Sequence, residues 1–204
     1  MVAAPKTALL FDLGNTLVQY WERAEFPGIL RQAITEVSDY LDQRGLLGVS
    51  APELWERVEG ENHESPDRHV RPLAGRLARI FDIEAAVCLD ELLEAMCRRF
   101  MVPIYARGRL YADSLSALEE ARARGMRTAI VSNTPWGSPA RLWREEIARL
   151  GLRQRVDVDV FCDDVGWRKP ARQIFEYTCS RLQVKAEQCV FVGDDPRWDL
   201  VGPR

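Results

Sequence analysis

Short, almost wholly apolar runs that end in polar or glycine-containing turns recur four times along the chain: Thr7–Phe11, Arg127–Val131, Val156–Cys162 and Cys189–Gly193. A strand buried on one face alternates apolar and polar residues. Continuous runs of this length suit strands covered on both faces, as in a parallel sheet. Between the later runs lie segments with apolar residues at helical spacing and recognisable ends. Asp113 precedes Leu115, Leu118 and Ala121, with Gly125 beyond them. Ser138-Pro139 precedes Trp143, Ile147 and Leu150, closed by Gly151, and Pro170 precedes Ile174, Phe175, Thr178 and Leu182. Polar caps and proline mark helix starts, and glycine marks their ends. Strand, helix, strand, helix predicts an α/β fold built on a doubly wound, Rossmann-like parallel sheet.

From Tyr20 to Tyr105 no strand-like run occurs. Leu30, Ile34, Val37 and Leu41 recur at helical spacing, as do Leu54 and Val58, then Leu73, Leu77 and Ile80, then Leu89, Leu92, Leu93, Met96 and Phe100. Gly45, Gly48, Pro52, Pro66 and Pro72 punctuate them. The expected organisation is a catalytic core of residues 1–19 and 106–204, interrupted by an all-helical insertion of residues 20–105.

Composition narrows the class. The 204 residues carry 47% hydrophobic and 29% charged side chains, ordinary for a globular chain with a sizeable core. A formal charge of -3 and a pI near 5.6 argue against a nucleic-acid binder, which needs a basic face. No apolar run reaches the ~18 residues of a membrane helix, and Thr7–Phe11 stops at Asp12, too short for a secretory-signal core. Five cysteines without CxxC spacing predict buried thiols of a cytoplasmic protein. His63 and His69 stand alone among arginines and suggest no metal site. Lysine is scarce: only Lys6, Lys169 and Lys185 against 25 arginines. The rest of the basic content reads as a solvated surface, the Arg68-His69-Arg71 patch included.

Chemistry in a doubly wound sheet gathers at the carboxyl ends of the strands. Those ends carry Asp12, then Ser132-Asn133, then Lys169 in Gly-Trp-Arg-Lys-Pro, then Asp194-Asp195 with Asp199 nearby. Carboxylates, a hydroxyl, an amide and one lysine meeting in a crevice suit attack of a carboxylate on a phosphate monoester. Mg²⁺, which takes hard oxygen ligands, would screen the two anions, and the donors would hold the phosphoryl oxygens.

Four segments carry a family resemblance. Phe-Asp-Leu-Gly-Asn-Thr-Leu (Phe11–Leu17), Val-Ser-Asn-Thr (Val131–Thr134), Arg-Lys-Pro (Arg168–Pro170) and Val-Gly-Asp-Asp-Pro-Arg-Trp-Asp (Val192–Asp199) resemble, in order, the four motifs of the haloacid dehalogenase-like hydrolases. The helical insertion resembles the C1-type cap of that superfamily. The resemblance implies that Asp12 is the nucleophile, passing through an aspartyl-phosphate, and also a ligand of Mg²⁺. It implies that Ser132, Asn133 and Lys169 bind phosphate, with Lys169 also compensating charge in catalysis. The backbone carbonyl of Gly14, Asp194 and Asp195 would complete the metal set, Asp195 as a second ligand or an acceptor for metal-bound water. Asp199 would orient Lys169 or those waters.

One position departs from the family pattern. Its phosphatases usually carry an acid/base aspartate two residues after the nucleophile, and here that position is Gly14, followed by Asn15 where glycine is more usual. Loss of a positioned acid/base costs ~10²–10⁴ in rate. The reading this supports is a Mg²⁺-dependent phosphatase acting on a small phosphorylated metabolite. The alternatives are a 2-haloacid dehalogenase-like C–Cl hydrolase, whose leaving halide needs no proton, or a phospho-ligand binder without turnover. Tyr20 and Trp21 are hinge or pocket-rim candidates, and Trp136, Trp167 and Trp198 candidates to line the crevice. Members of the family usually continue beyond the fourth motif through a further helix and strand, so an uncovered sheet edge is expected where this sequence stops.

Overall fold

The computed structural model describes residues 5–83 and 89–202; Cys88, Pro203 and Arg204 lie outside the described residues. Four strands, β1 (Ala8–Phe11), β4 (Arg127–Ser132), β5 (Val158–Phe161) and β6 (Cys189–Val192), form a parallel sheet in the order β5-β4-β1-β6. The registers pair Leu10 with Ala129 and Phe191, and Ile130 with Asp159. The period of two along each strand divides the core. Ala8, Leu10, Ala129, Val131 and Val160 pack with α8 (Arg172–Leu182) on one face, through Ile174, Phe175 and Leu182. Phe11, Ile130 and Phe161 face the opposite cluster, which holds α5 (Ser114–Ala123) through Leu118 and α6 (Ala140–Arg149) through Trp143 and Ile147. β5 and β6 are the edge strands among the described residues, and on β6 Val190 and Val192 are exposed.

The insertion consists of α1 (Phe26–Asp42), α2 (Ala51–Glu61), α3 (Leu73–Phe81) and α4 (Leu89–Tyr105). α1 lies along α4, and α3 packs on both α4 and α2. Its apolar faces, including Ile34, Leu77 and Phe100, continue into the Trp136 and Trp143 side of the sheet core. A pattern too short to read in the sequence flanks the insertion. β2 (Val18–Gln19) and β3 (Arg109–Leu110) pair antiparallel, so the chain leaves and re-enters the core on one two-stranded ribbon.

The helix signals hold with small shifts. Asp113 is the N-cap residue of α5, but its side chain makes no capping bond. Pro139 is the N-cap of α6, while Ser138 accepts a hydrogen bond from the Trp143 indole at 2.8 Å. α8 begins two residues after Pro170. Cys97 and Cys162 are buried, and burial pushes the Cys97 thiol up to about 12. Cys179 and Cys189 are half-buried, with their sulfurs 3.8 Å apart. No helix among the described residues is long and apolar enough to cross a membrane.

Candidate active site

The carboxyl ends of β1 and β6 are adjacent because the two strands pair, and the pairing runs past the strands: the Asp12 amide donates to the Val192 carbonyl at 2.9 Å. This places Asp12 beside the Gly193-Asp194 turn. Lys169, its side chain only 1% exposed, lies between two carboxylates, its Nζ 2.9 Å from Asp12 Oδ1 and 2.7 Å from Asp199 Oδ1. A buried ammonium needs such partners, since removal from water costs several kcal/mol per ion. Asp199 is held in turn, its other oxygen accepting the Asp195 amide at 3.1 Å. It packs so closely on Gly193 that a β-carbon there would overlap its carboxyl group. Only glycine lets α9 (Pro196–Asp199) return its last residue onto the strand end.

Oxygens of Asp12, Asp194 and Asp199 lie within 4.8 Å of one another. Burial and the neighbouring Asp12 and Asp199 charges push the Asp194 carboxyl above its ordinary value. Burial raises Asp199 as well, against the pull of Lys169. Three carboxylates facing one ammonium leave an excess of negative charge, and a set made only of hard oxygen donors suits Mg²⁺. Asp195, expected beside this cluster, turns away. It caps α9, accepting the Arg197 amide at 3.0 Å and its Nε at 2.9 Å, and that pairing holds its carboxyl below the usual range.

Ser132 ends β4, Asn133 follows it, and both line the same cavity as Asp12. The Asn133 side chain is committed to the backbone of Lys169: its oxygen accepts the Lys169 amide at 2.7 Å and its amide donates to the Lys169 carbonyl at 3.2 Å. It therefore fixes the lysine to β4. The Ser132 hydroxyl contacts the Asn133 carbonyl at 3.1 Å. Gly14 lies on the cavity wall, and a β-carbon there would meet nothing within 4 Å. Asn15 takes the left-handed backbone (φ 54), which asparagine tolerates better than other non-glycine residues. Its side-chain amide donates to the Trp21 carbonyl at 3.2 Å, tying this turn to the start of the insertion.

The cavity measures about 600 Å³ and is walled by Trp21, Phe26, Trp136, Trp143 and Trp198, with Tyr20 completing the apolar side. Trp167 is not on it; it packs against His69, ring centroids 3.7 Å apart. Asn62 and Glu64, which carried no expected role, and His63, set aside above as a metal ligand, reach the cavity from the turn after α2. The Arg68–Arg71 patch, expected as a solvated face, contributes a strap. Val70 N–H donates to the Gly166 carbonyl and Arg168 N–H to the Arg68 carbonyl, both at 2.9 Å. Glu64 Oε2 lies 2.8 Å from Arg168. The segment just before Lys169 is thus paired with the insertion.

A family model for haloacid dehalogenase-like hydrolases matches residues 6–203. A glyceraldehyde 3-phosphate phosphatase of Methanothermobacter thermautotrophicus is 33% identical over 96% of this chain and 80% of its own length. A phosphoserine phosphatase of Thermus thermophilus is 31% identical over 78% of this chain and 61% of its own. Among solved structures, a HAD phosphatase from Thermococcus onnurineus superposes with a TM-score of 0.60 at 27% identity, over 97% of this chain and 81% of that one.

Proposed function

The chain belongs to the haloacid dehalogenase-like hydrolases, and from that premise we propose that it is a Mg²⁺-dependent phosphatase of small phosphorylated metabolites. The observation that carries the reading is the Asp12–Lys169–Asp199 ion triad with Asp194 beside it, Asp12 and Asp194 lining a cavity of metabolite size. The phosphatase names of the relatives support it. So does the excess of carboxylates, which a C–Cl hydrolase working without a cation does not require. Residues 20–105 are read as a C1-type cap over a core of residues 1–19 and 106–204.

In this reading Asp12 attacks phosphorus to give an aspartyl-phosphate and release the alcohol, and water then cleaves the acyl-phosphate. Lys169 neutralises the attacking carboxylate and the incoming phosphoryl group. Asn133 keeps Lys169 in place through its backbone, and Ser132 offers a hydroxyl to a phosphoryl oxygen. Mg²⁺, held by Asp12, Asp194 and the carbonyl of Gly14, would supply charge stabilisation at the phosphoryl oxygens. Asp199 orients Lys169, and Asp195 orders the α9 turn from which Asp199 projects.

A screen of phosphate monoesters with Mg²⁺ and with EDTA tests the reading. Turnover should require the metal and fall by at least about 10³-fold in Asp12→Asn, the order seen when a catalytic nucleophile is removed. Turnover unchanged by Asp12→Asn rejects the aspartyl-phosphate route, and halide release from 2-chloropropionate in EDTA favours the dehalogenase.

A further inference from the structure

The buried arginine of the insertion has an unusual set of contacts. Arg76, on α3, has no exposed side-chain surface, and every hydrogen bond it donates goes to the segment around the α2–α3 turn. Its guanidinium donates to the Glu61 carbonyl at 2.5 Å, the His63 carbonyl at 2.9 Å and the Glu64 carboxylate at 2.9 Å, while its Nε reaches the Arg71 carbonyl at 3.2 Å. Arg71 adds a second bond to the His63 carbonyl at 2.8 Å, and the His63 amide donates to Glu61 at 2.8 Å. Burying a charged side chain is costly unless every donor is used. One of these bonds, joined by the bond from Arg71, holds the backbone carbonyl of His63, an exposed residue on the wall of the same cavity as Asp12.

The cavity is short of a proton carrier. Asp12 is committed to attack. Asp195 is paired with Arg197, and Glu64 with Arg76 and Arg168. Asp194 belongs to the carboxylate set facing Asp12. Burial raises the Tyr20 hydroxyl far above its ordinary value, and the arginines, Arg23 included, do not release protons at working pH. Imidazole is the side chain that both gives and takes a proton near neutrality. A cavity of this volume is about 10 Å across and is lined by both Asp12 and His63, so one small substrate can span the two.

We propose that His63 is the general acid/base of this site, supplying from the insertion the proton that Gly14 cannot; the inference rests on the phosphatase reading above. As Asp12 bonds to phosphorus and the ester P–O bond breaks, the imidazolium of His63 protonates the departing alkoxide to give the alcohol. The neutral imidazole then takes a proton from water as the water oxygen attacks phosphorus. The bond to Asp12 breaks, and carboxylate, inorganic phosphate and imidazolium are restored. Arg76 acts as a positioning residue by holding the turn.

The test compares wild type, His63→Gln, His63→Ala and Asp12→Asn with Mg²⁺ on glycerol 3-phosphate and on p-nitrophenyl phosphate, whose leaving group needs no acid. His63→Gln should lower kcat/KM, which reports the phosphoryl-transfer step alone, about 10²-fold on the alkyl ester and raise the aryl-to-alkyl ratio of kcat/KM at least about 30-fold. The limb of the pH–rate profile near neutrality should disappear, and added imidazole should restore part of the His63→Ala rate. Equal loss of kcat/KM on both esters, or no loss, overturns the role of His63 while leaving Asp12 intact. A wild type that turns over only the aryl ester also overturns it, since such a site has no working acid. Activity that survives Asp12→Asn instead rejects the phosphatase reading itself.

Discussion

Restoring a carboxyl group at position 14 tests where this site obtains its proton. Gly14→Asp meets no steric obstacle: the backbone there is outside the left-handed region, and the new β-carbon has no neighbour within 4 Å. The added acid would join Asp12, Asp194 and Asp199, with Lys169 cancelling one charge. At an effective dielectric of about 20 and a separation of about 6 Å, each remaining charge costs its ionisation about 3 kcal/mol, or roughly 2 pKa units. In the metal-free protein the new group would thus stay protonated well above the usual carboxylate range, and bound cation would bring it back down. If His63 already supplies the proton, two acids serve one step and their effects are not additive. Gly14→Asp should then change alkyl phosphate turnover by only a few-fold in wild type, yet recover about 10²-fold in the His63→Gln background. That difference is a coupling of about 2 kcal/mol, rising to about 2.7 kcal/mol where the wild-type effect vanishes, at 1.36 kcal/mol per tenfold. The assay is kcat for glycerol 3-phosphate and p-nitrophenyl phosphate across pH 5.5–8.5 for the four proteins of the cycle, with melting temperatures to exclude misfolding. Equal gains in both backgrounds would refute the reasoning, because the two positions would then not share a task.

Two further outcomes follow from the charge balance of the site. Asp194 and Asp199 have raised carboxyl pKa values in the folded state, so the folded protein binds more protons than the unfolded chain over the window between unfolded and folded values. Their contribution to stability therefore improves as pH falls through the folded pKa and is unfavourable above it. Mg²⁺ at ten times its Kd adds about 1.4 kcal/mol, or roughly 3–6 °C in Tm; by scanning fluorimetry the gain should be largest near pH 7.5 and shrink toward pH 5, and a gain larger in acid would contradict the assignment. Lys169→Met leaves Asp199 buried without its cation and should cost about 3–5 kcal/mol at neutral pH. Adding Asp199→Asn should recover most of that stability in urea unfolding without restoring activity, and a double variant no more stable than the single one would contradict the pairing.

Much of the core was legible because each strand announces itself twice, by an apolar run and by the polar residue that ends it. Phe11-Asp12, Val131-Ser132-Asn133 and Val192-Gly193-Asp194 are such junctions, and pairing of β1 with β4 and β6 brings them together. The four helices of the insertion were legible through Leu30/Ile34/Val37 and Leu73/Leu77/Ile80. The division of labour within the motifs was not. Asn133 reads as a phosphate amide from its position, yet its side chain is taken up by the two backbone groups of Lys169, a contact across 36 residues with no local signature. Asp194 and Asp195 are indistinguishable by type. Arg197, two residues on, separates them by drawing Asp195 out of the cluster as the cap of α9.

The strap between insertion and core was the least legible element, since its bonds are made by backbone groups and by arginines in a chain rich in them. Composition gives Arg76 no reason to differ from 24 others, yet its side chain is fully buried and anchors the turn bearing His63 and Glu64. The same strap pairs Arg68 and Val70 with Gly166 and Arg168. It therefore ends one residue before Lys169, whose own backbone is clamped by Asn133. Insertion, Lys169 and β4 form one connected hydrogen-bonded path. The cavity wall that carries His63 and Lys169, proposed to meet the phosphoryl charge, are thus held in a common frame, as the proposed proton donor and anion site would require to act on adjacent atoms.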